Sequence, residues 1–211
     1  MIELDIFSDT VCPWCYIGKK RLEKAINDHK NIEFKQTWRP FQLNPGMPPD
    51  GMDRQEYLIS KFGSADAAKT IYDNIYDEGL LEGINFNFDS IQTTPNSFNS
   101  HRLLALAYKQ GIQENVLDSL FESYFLNGED IGDPNILLDI AIKHQIDAED
   151  FKTYLSDQEN IEPLANEELE ARKMGINSVP TFIVNKQIVI NGAQTSENFD
   201  IIFKKLTNNI N

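Results

Sequence analysis

The chain has 211 residues, with 19 Lys+Arg against 33 Asp+Glu, a formal charge of −14, 41% hydrophobic and 25% charged residues. Such a composition can bury a sizeable core and excludes a disordered chain. The negative field repels nucleic acid and anionic membrane surfaces, so neither is expected as a partner. No apolar run approaches the roughly 18 residues of a membrane span. The opening Met1–Phe7 shows no secretion signal, so the expected location is cytoplasmic. Two cysteines, Cys12 and Cys15, cannot supply a framework of structural disulfides.

In chain order, Ile2, Leu4 and Ile6 alternate with Glu3 and Asp5, which predicts a strand closed by Phe7. Ser8-Asp9-Thr10 is turn chemistry. Cys15, Gly18, Leu22, Ala25 and Ile26 then recur at helical spacing, and Pro13 suits a first helical turn. Residues 32–38 predict a second strand, with Ile32, Phe34 and Gln36 on one side. Strand, helix, strand in succession implies two parallel neighbours. Residues 44–52 form a Pro/Gly-rich break that reads as a linker. Asp53 with Glu56 resembles a capping box. From there to about 175 the pattern is mostly helical. Val116, Leu117, Leu120, Phe121 and Tyr124 form one stripe, and Asp133-Pro134 opens another helix. A helix through Leu169 and Arg172 ends at Gly175. Residues 180–185 are β-rich, Asn185-Lys186 can turn the chain, and 187–190 can return antiparallel. Ser196 is expected to cap a last helix bearing Phe199, Ile202, Phe203 and Leu206.

Cys12-x-x-Cys15 is the chemical signal, and three readings compete for it. Redox work needs two thiols near enough to close a disulfide, one accessible and one sheltered. Metal binding needs about four ligands, whereas His29, His101 and His144 form no spaced pair. The third reading is a pair of incidental core cysteines. The strand–helix context favours redox chemistry. At the start of a helix Cys12 meets free N–H groups and the positive end of the dipole, which stabilise the attacking thiolate. Cys15, three residues on, begins the core-facing stripe and is sheltered.

These pieces resemble a DsbA-type thioredoxin-fold oxidoreductase, more narrowly the FrnE-like branch. The carriers are Asp9-Thr-Val-Cys-Pro-Trp-Cys-Tyr-Ile-Gly18, Arg39-Pro-Phe-Gln-Leu-Asn-Pro45, Asn96-Ser97 with His101-Arg102, Gly175-Ile-Asn-Ser-Val-Pro-Thr-Phe182 and Asn191-Gly-Ala-Gln194. The resemblance implies an α/β, thioredoxin-like fold with a large all-helical insertion. Residues 1–50 and 161–211 would form the two halves of the thioredoxin-like domain, and 51–160 the insertion. It implies Cys12 as nucleophile, Cys15 as resolving cysteine, and Pro180 as a cis-proline facing them, with Val179 offering backbone contacts. Pro13, Trp14 and His101 would border the substrate. No bound cofactor is expected beyond a redox-active Cys12–Cys15 disulfide, with glutathione as a candidate co-substrate. Expected partners are a disulfide-containing protein or small molecule and a thiol reductant or oxidant. A monomer or weak homodimer is expected.

Other residues have plainer readings. His101 shares a helix face with Leu104 and Tyr108, where packing is the simpler account. His144 sits in a last helical turn, where it complements the dipole. Glu167, Glu168 and Glu170 read as a solvated face. Trp38 and Phe41 read as core, and so do Tyr16, Met47 and Met52 before any groove-lining role. Kappa-type glutathione transferases and 2-hydroxychromene-2-carboxylate isomerases resemble the same topology but generally carry serine where Cys12 stands. A cysteine-pair metal protein or a chaperone-like protein is the other rival.

Overall fold

The computed structural model describes residues 1–208. Strand β1 (Ile2–Ser8) leads into helix α1 (Pro13–Asn27) and strand β2 (Phe34–Pro40). As expected, β1 and β2 are parallel, in register from Ile2↔Phe34 to Ser8↔Pro40. The second strand begins two residues later than expected and runs on to Pro40; Ile32 is held instead by a turn bond from its N–H to the His29 carbonyl, 2.9 Å.

Residues 44–52 are not a free linker. The Asn96 amide donates to the Met47 carbonyl at 2.7 Å, Met47 is buried, and strand β3 (Met52–Asp53) pairs antiparallel with β4 (Thr93–Thr94). Between these two short strands lie α2 (Arg54–Phe62) and α3 (Ala65–Leu81). Asp53 does cap α2, its carboxylate accepting from the Gln55 and Glu56 N–H groups. Helices α4 (Phe98–Lys109), α5 (Gln113–Phe125), α6 (Pro134–Lys143), α7 (Ala148–Ser156) and α8 (Ile161–Lys173) follow. The chain then returns to the sheet as β5 (Thr181–Val184) and β6 (Ile188–Asn191) and ends its described part in α9 (Ser196–Asn208). Asn185 and Lys186 both take positive φ, 50° and 57°, at the tip of the β5–β6 hairpin, the handedness a two-residue hairpin turn demands. The cap of α9 falls on Thr195 rather than Ser196: Thr195 Oγ1 accepts from the Asn198 N–H at 3.4 Å.

The sheet order is β2-β1-β5-β6, with β5 antiparallel to β1 from Leu4↔Val184 to Phe7↔Thr181. Strand alternation divides β1 between two cores. Ile2, Leu4 and Ile6 join Cys15, Ile17 and Leu22 of α1 and Phe199 and Phe203 of α9 on one face. Phe7 joins Phe41, Ala171 and Ile176 on the other, beneath α8. Helices α2 to α7 dock on α1 through Tyr16, whose ring stacks on Phe121 at 4.9 Å and meets Phe86 edge-on at 6.0 Å. Polar ties reinforce this joint. The buried Lys19 ammonium bonds Asp118 of α5 at 2.7 Å and also pairs with Glu23. Arg21 bonds Glu82 at 2.7 Å and the Ala193 carbonyl at 2.8 Å.

Candidate active site

Ser8 closes β1 and Asp9 and Thr10 follow it as a turn, yet all three are buried, Asp9 and Thr10 completely. The Asp9 and Thr10 side chains find specific partners. Thr10 Oγ1 lies 2.6 Å from Ser100 Oγ, which donates to the Ser97 carbonyl at 2.7 Å. Asp9 accepts the Leu43 N–H on Oδ2 at 2.7 Å and the Val11 N–H on Oδ1 at 3.4 Å, and its main-chain carbonyl takes the Cys12 N–H at 3.1 Å. The turn that delivers Cys12 is therefore built on one buried carboxylate, which receives charge-assisted hydrogen bonds from main-chain donors.

Cys12 is the N-cap residue of α1, in extended conformation, with Pro13 at the first helical position. Pro13 has no N–H to leave unsatisfied there. Cys12 is 4% exposed and Cys15 is 0% exposed. The Cys15 N–H bonds back to the Cys12 carbonyl at 3.0 Å, and both cysteines are free thiols. Across from them, Cys12 Sγ lies 3.9 Å from the Val179 carbonyl, and the Val179–Pro180 peptide is cis. Gly18, one turn beyond Cys15, lets α1 approach that loop: a Cβ there would stand 3.0 Å from Pro180 Cγ and 3.3 Å from the Phe182 ring.

The two sulfurs sit in unlike settings. Burial pushes the Cys15 thiol well above its ordinary value, and the neighbouring Cys12 adds to the rise. The nearby Ser8 hydroxyl and the Asp9 main chain oppose it in part. Ser8 Oγ is buried and makes no hydrogen bond. Chemically, the arrangement presents one thiol at a helix terminus beside a peptide-like edge, and a second thiol held in reserve beneath it.

Of the residues singled out from sequence, Cys12, Pro13, Trp14, Cys15, Val179 and Pro180 converge at this point. Trp14 and Val179 are half-buried, Pro13 and Pro180 buried. His101 stands back from it. Its Nε2 lies 3.3 Å from Asp9 Oδ1 without hydrogen-bond alignment, and it lines a cavity of about 290 Å³ between β2, α4 and α8. His144 departs from the dipole reading: Nε2 bonds Ser119 Oγ at 2.8 Å, and partial burial, then Lys143, lower its pKa. The acidic face is corrected as well. Glu168 is buried, bonding Arg172 at 2.6 Å and the Gln42 N–H at 3.1 Å, and Glu167 bonds Arg39 at 2.8 Å. Tyr16, Trp38, Phe41 and Met47 are core, while Met52 is half-buried. Among the described residues no cluster of His, Cys, Asp and Glu is arranged to hold a metal. None of the described helices is long and apolar enough to cross a membrane.

A four-stranded sheet with helices on both faces, a paired-thiol helix start and a cis-proline loop opposite it define a thioredoxin-like fold carrying inserted helices. Within that class the chain belongs to the DSBA-like thioredoxin domain family, whose model matches residues 3–203. This is a family of thiol oxidoreductases acting on disulfide-containing substrates. The chain is similar to a probable DsbA oxidoreductase from Streptomyces coelicolor, at 29% identity over 97% of this chain and 89% of that one, with a TM-score of 0.87. It is similar in fold to the cytosolic disulfide reductase DsbM from Pseudomonas aeruginosa, solved with GSH (15% identity, 98% and 99% coverage, TM-score 0.68). It is also similar in fold to a 2-hydroxychromene-2-carboxylate isomerase (14% identity, 98% and 95% coverage, TM-score 0.70).

Proposed function

We propose that the protein is a thiol–disulfide oxidoreductase in which Cys12 attacks and Cys15 resolves. The observation that carries this reading is the asymmetric pair itself, with Cys12 capping α1 at 3.9 Å from the Val179 carbonyl and Cys15 fully buried one turn on. The Cys12 thiolate attacks one sulfur of a substrate disulfide. An S–S bond forms between Cys12 and the substrate, and the other substrate sulfur leaves as a thiolate that takes up a proton. Cys15 then loses its proton and its thiolate attacks Cys12 Sγ. The mixed disulfide breaks, the second substrate thiol is released, and the Cys12–Cys15 disulfide carries the two electrons' worth of oxidation. A dithiol equivalent such as two glutathiones returns the pair to the thiol form. Run backwards, the same steps oxidise a substrate. Val179 is the backbone edge for an extended peptide, with Pro13, Trp14 and Pro180 bordering it. Residues 51–160 serve as the helical insertion that walls the site.

With its two cysteines committed to one pair, the chain suits a reducing, cytoplasmic compartment of glutathione poise, where reduction or isomerisation of disulfides is the natural direction. The test is equilibration in glutathione redox buffers, acid quench, alkylation and a thiol count by mass. Cys12 and Cys15 should interconvert as one two-electron couple, within the span of about −120 to −270 mV covered by thioredoxin-fold proteins. Cys15→Ser should accumulate a mixed disulfide on Cys12. A pair that never closes would defeat the proposal and favour a glutathione-dependent transferase or isomerase.

A further inference from the structure

A second cavity lies in the helical part of the chain. It has a volume of about 460 Å³ and is bounded by α2, α3 and the segment around Phe86–Asp89. That size falls in the range of about 300–1,000 Å³ typical of small-molecule sites. Its walls include Tyr72, Tyr76, Phe86 and Phe88, with Phe86 and Phe88 stacked at 4.7 Å and Tyr72 edge-on to Phe88 at 4.8 Å. The buried charged group among the lining residues is Arg54, which is only 4% exposed. Its Nη1 bonds Thr94 Oγ1 at 3.1 Å and the Tyr124 hydroxyl at 3.4 Å, and its Nε has no partner. Tyr72 and Tyr57 offer ring faces at 4.9 and 5.8 Å. Among the described residues no carboxylate pairs with it. The groups it bonds or faces, Thr94, Tyr124, Tyr72 and Tyr57, are neutral, whereas a buried cation is ordinarily matched by an anion, because desolvation alone costs several kcal/mol.

We infer that this cavity binds a small aromatic monocarboxylate, its ring against the Tyr72–Phe86–Phe88 walls and its carboxylate on Arg54. The rim limits the ligand to a single compact negative charge. Asp66 and Asp89 are exposed there, and Asp73 is neutralised by Lys69 at 2.7 Å, so a polyanion is repelled. The site is separate from the cysteines and independent of the redox reading. Phe86 lies between it and Tyr16, the residue after Cys15.

The test is calorimetry with phenylacetate and its neutral counterpart phenylacetamide. Phenylacetate should bind one per chain with a Kd of about 0.1–1 mM, in line with its small size. The amide should bind about 10–100-fold more weakly, the factor a charge-assisted hydrogen bond supplies. Leu58→Trp, which fills the cavity from its half-buried wall, should abolish binding. Arg54→Gln should bring the acid-to-amide ratio near one. If Arg54→Gln does not fold, Leu58→Trp and the acid–amide comparison in the unaltered chain still decide the matter. A Cys12→Ser/Cys15→Ser chain should bind phenylacetate as the unaltered chain does. No binding at about 10 mM, equal affinity for acid and amide, or undiminished binding in Leu58→Trp would each overturn the inference. Loss of binding in the double-serine chain would place the ligand at the cysteines instead.

Discussion

Asp9→Asn is the most informative small change at the cysteine turn. The side chain keeps its shape, but one acceptor becomes an NH2 group. With the amide oxygen kept on the Leu43 N–H, now at 2.7 Å, the NH2 faces the Val11 N–H at 3.4 Å and the His101 ring at 3.3 Å. The Leu43 bond falls from a charged to a neutral acceptor, a loss of about 1 kcal/mol. The Val11 N–H loses its acceptor in a site with no water access, for about 1 kcal/mol more. The sum of about 2 kcal/mol is a large share of a typical total of about 5–15 kcal/mol. Asp9→Ala removes both acceptors and should cost about 3–4 kcal/mol. Urea unfolding at pH 7 reads these values, and with a slope near 2–3 kcal/mol/M the asparagine variant should shift the midpoint by about 0.7–1 M. Because the Asp9 carbonyl also holds the Cys12 N–H, the same variants should slow mixed-disulfide formation. An Asp9→Asn chain within about 0.5 kcal/mol of the unaltered protein would refute the view that this carboxylate organises the turn.

Elsewhere, Glu168→Ala strands the Gln42 N–H and frees Arg172 from its partner, so unfolding free energy should drop by about 2–4 kcal/mol; a drop under about 1 kcal/mol would show the pair to be solvated. Gly128 has φ +73° and an added Cβ would meet the Ser90 carbonyl oxygen at 2.6 Å, so Gly128→Ala should cost at least about 2 kcal/mol, checked by thermal melting. His144 has a lowered pKa in the folded chain. As pH falls below the unfolded value of about 6.5, the unfolded state binds the proton first, and stability declines until the folded value is passed. His144→Gln should flatten that part of the stability–pH curve, and an NMR titration midpoint at or above about 6.5 would contradict it. Both thiols are buried in the native dithiol, Cys12 at 4% and Cys15 at 0%, so iodoacetamide should label both slowly, with Cys12 ahead of Cys15, whose pKa is also raised; Cys15 labelling as fast as Cys12 would contradict that order.

Local signals in the sequence were enough for the elements that frame the site. Alternation gave β1, the helical stripe from Cys15 gave the buried side of α1, and Asn185-Lys186 gave the hairpin. What escaped depends on partners far along the chain. Ser8, Asp9 and Thr10 have the composition of an exposed turn, and only Leu43, Ser100 and His101 make them interior. Glu168 belongs to an acidic run and is drawn inward by Gln42, 126 residues away. Arg54 reads as an ordinary first-turn residue, and its burial follows from the β3–β4 pairing and Tyr124, neither of which has a local signal. The place of both cysteines at the start of α1 was legible because a helix start is a local signal. The placing of His101 against Asp9 was not.

The sheet order has a consequence for synthesis. Strand β1 is made first, yet its β5 neighbour and the Val179 edge that faces Cys12 come from the far end of the chain, 167 residues beyond Cys12. At about 5–20 residues per second a ribosome needs roughly 8–33 s to cover that interval. During this time both thiols are made but the strand that flanks β1 on its β5 side is not. The thiols therefore emerge well before the Val179 edge that faces Cys12 in the finished chain.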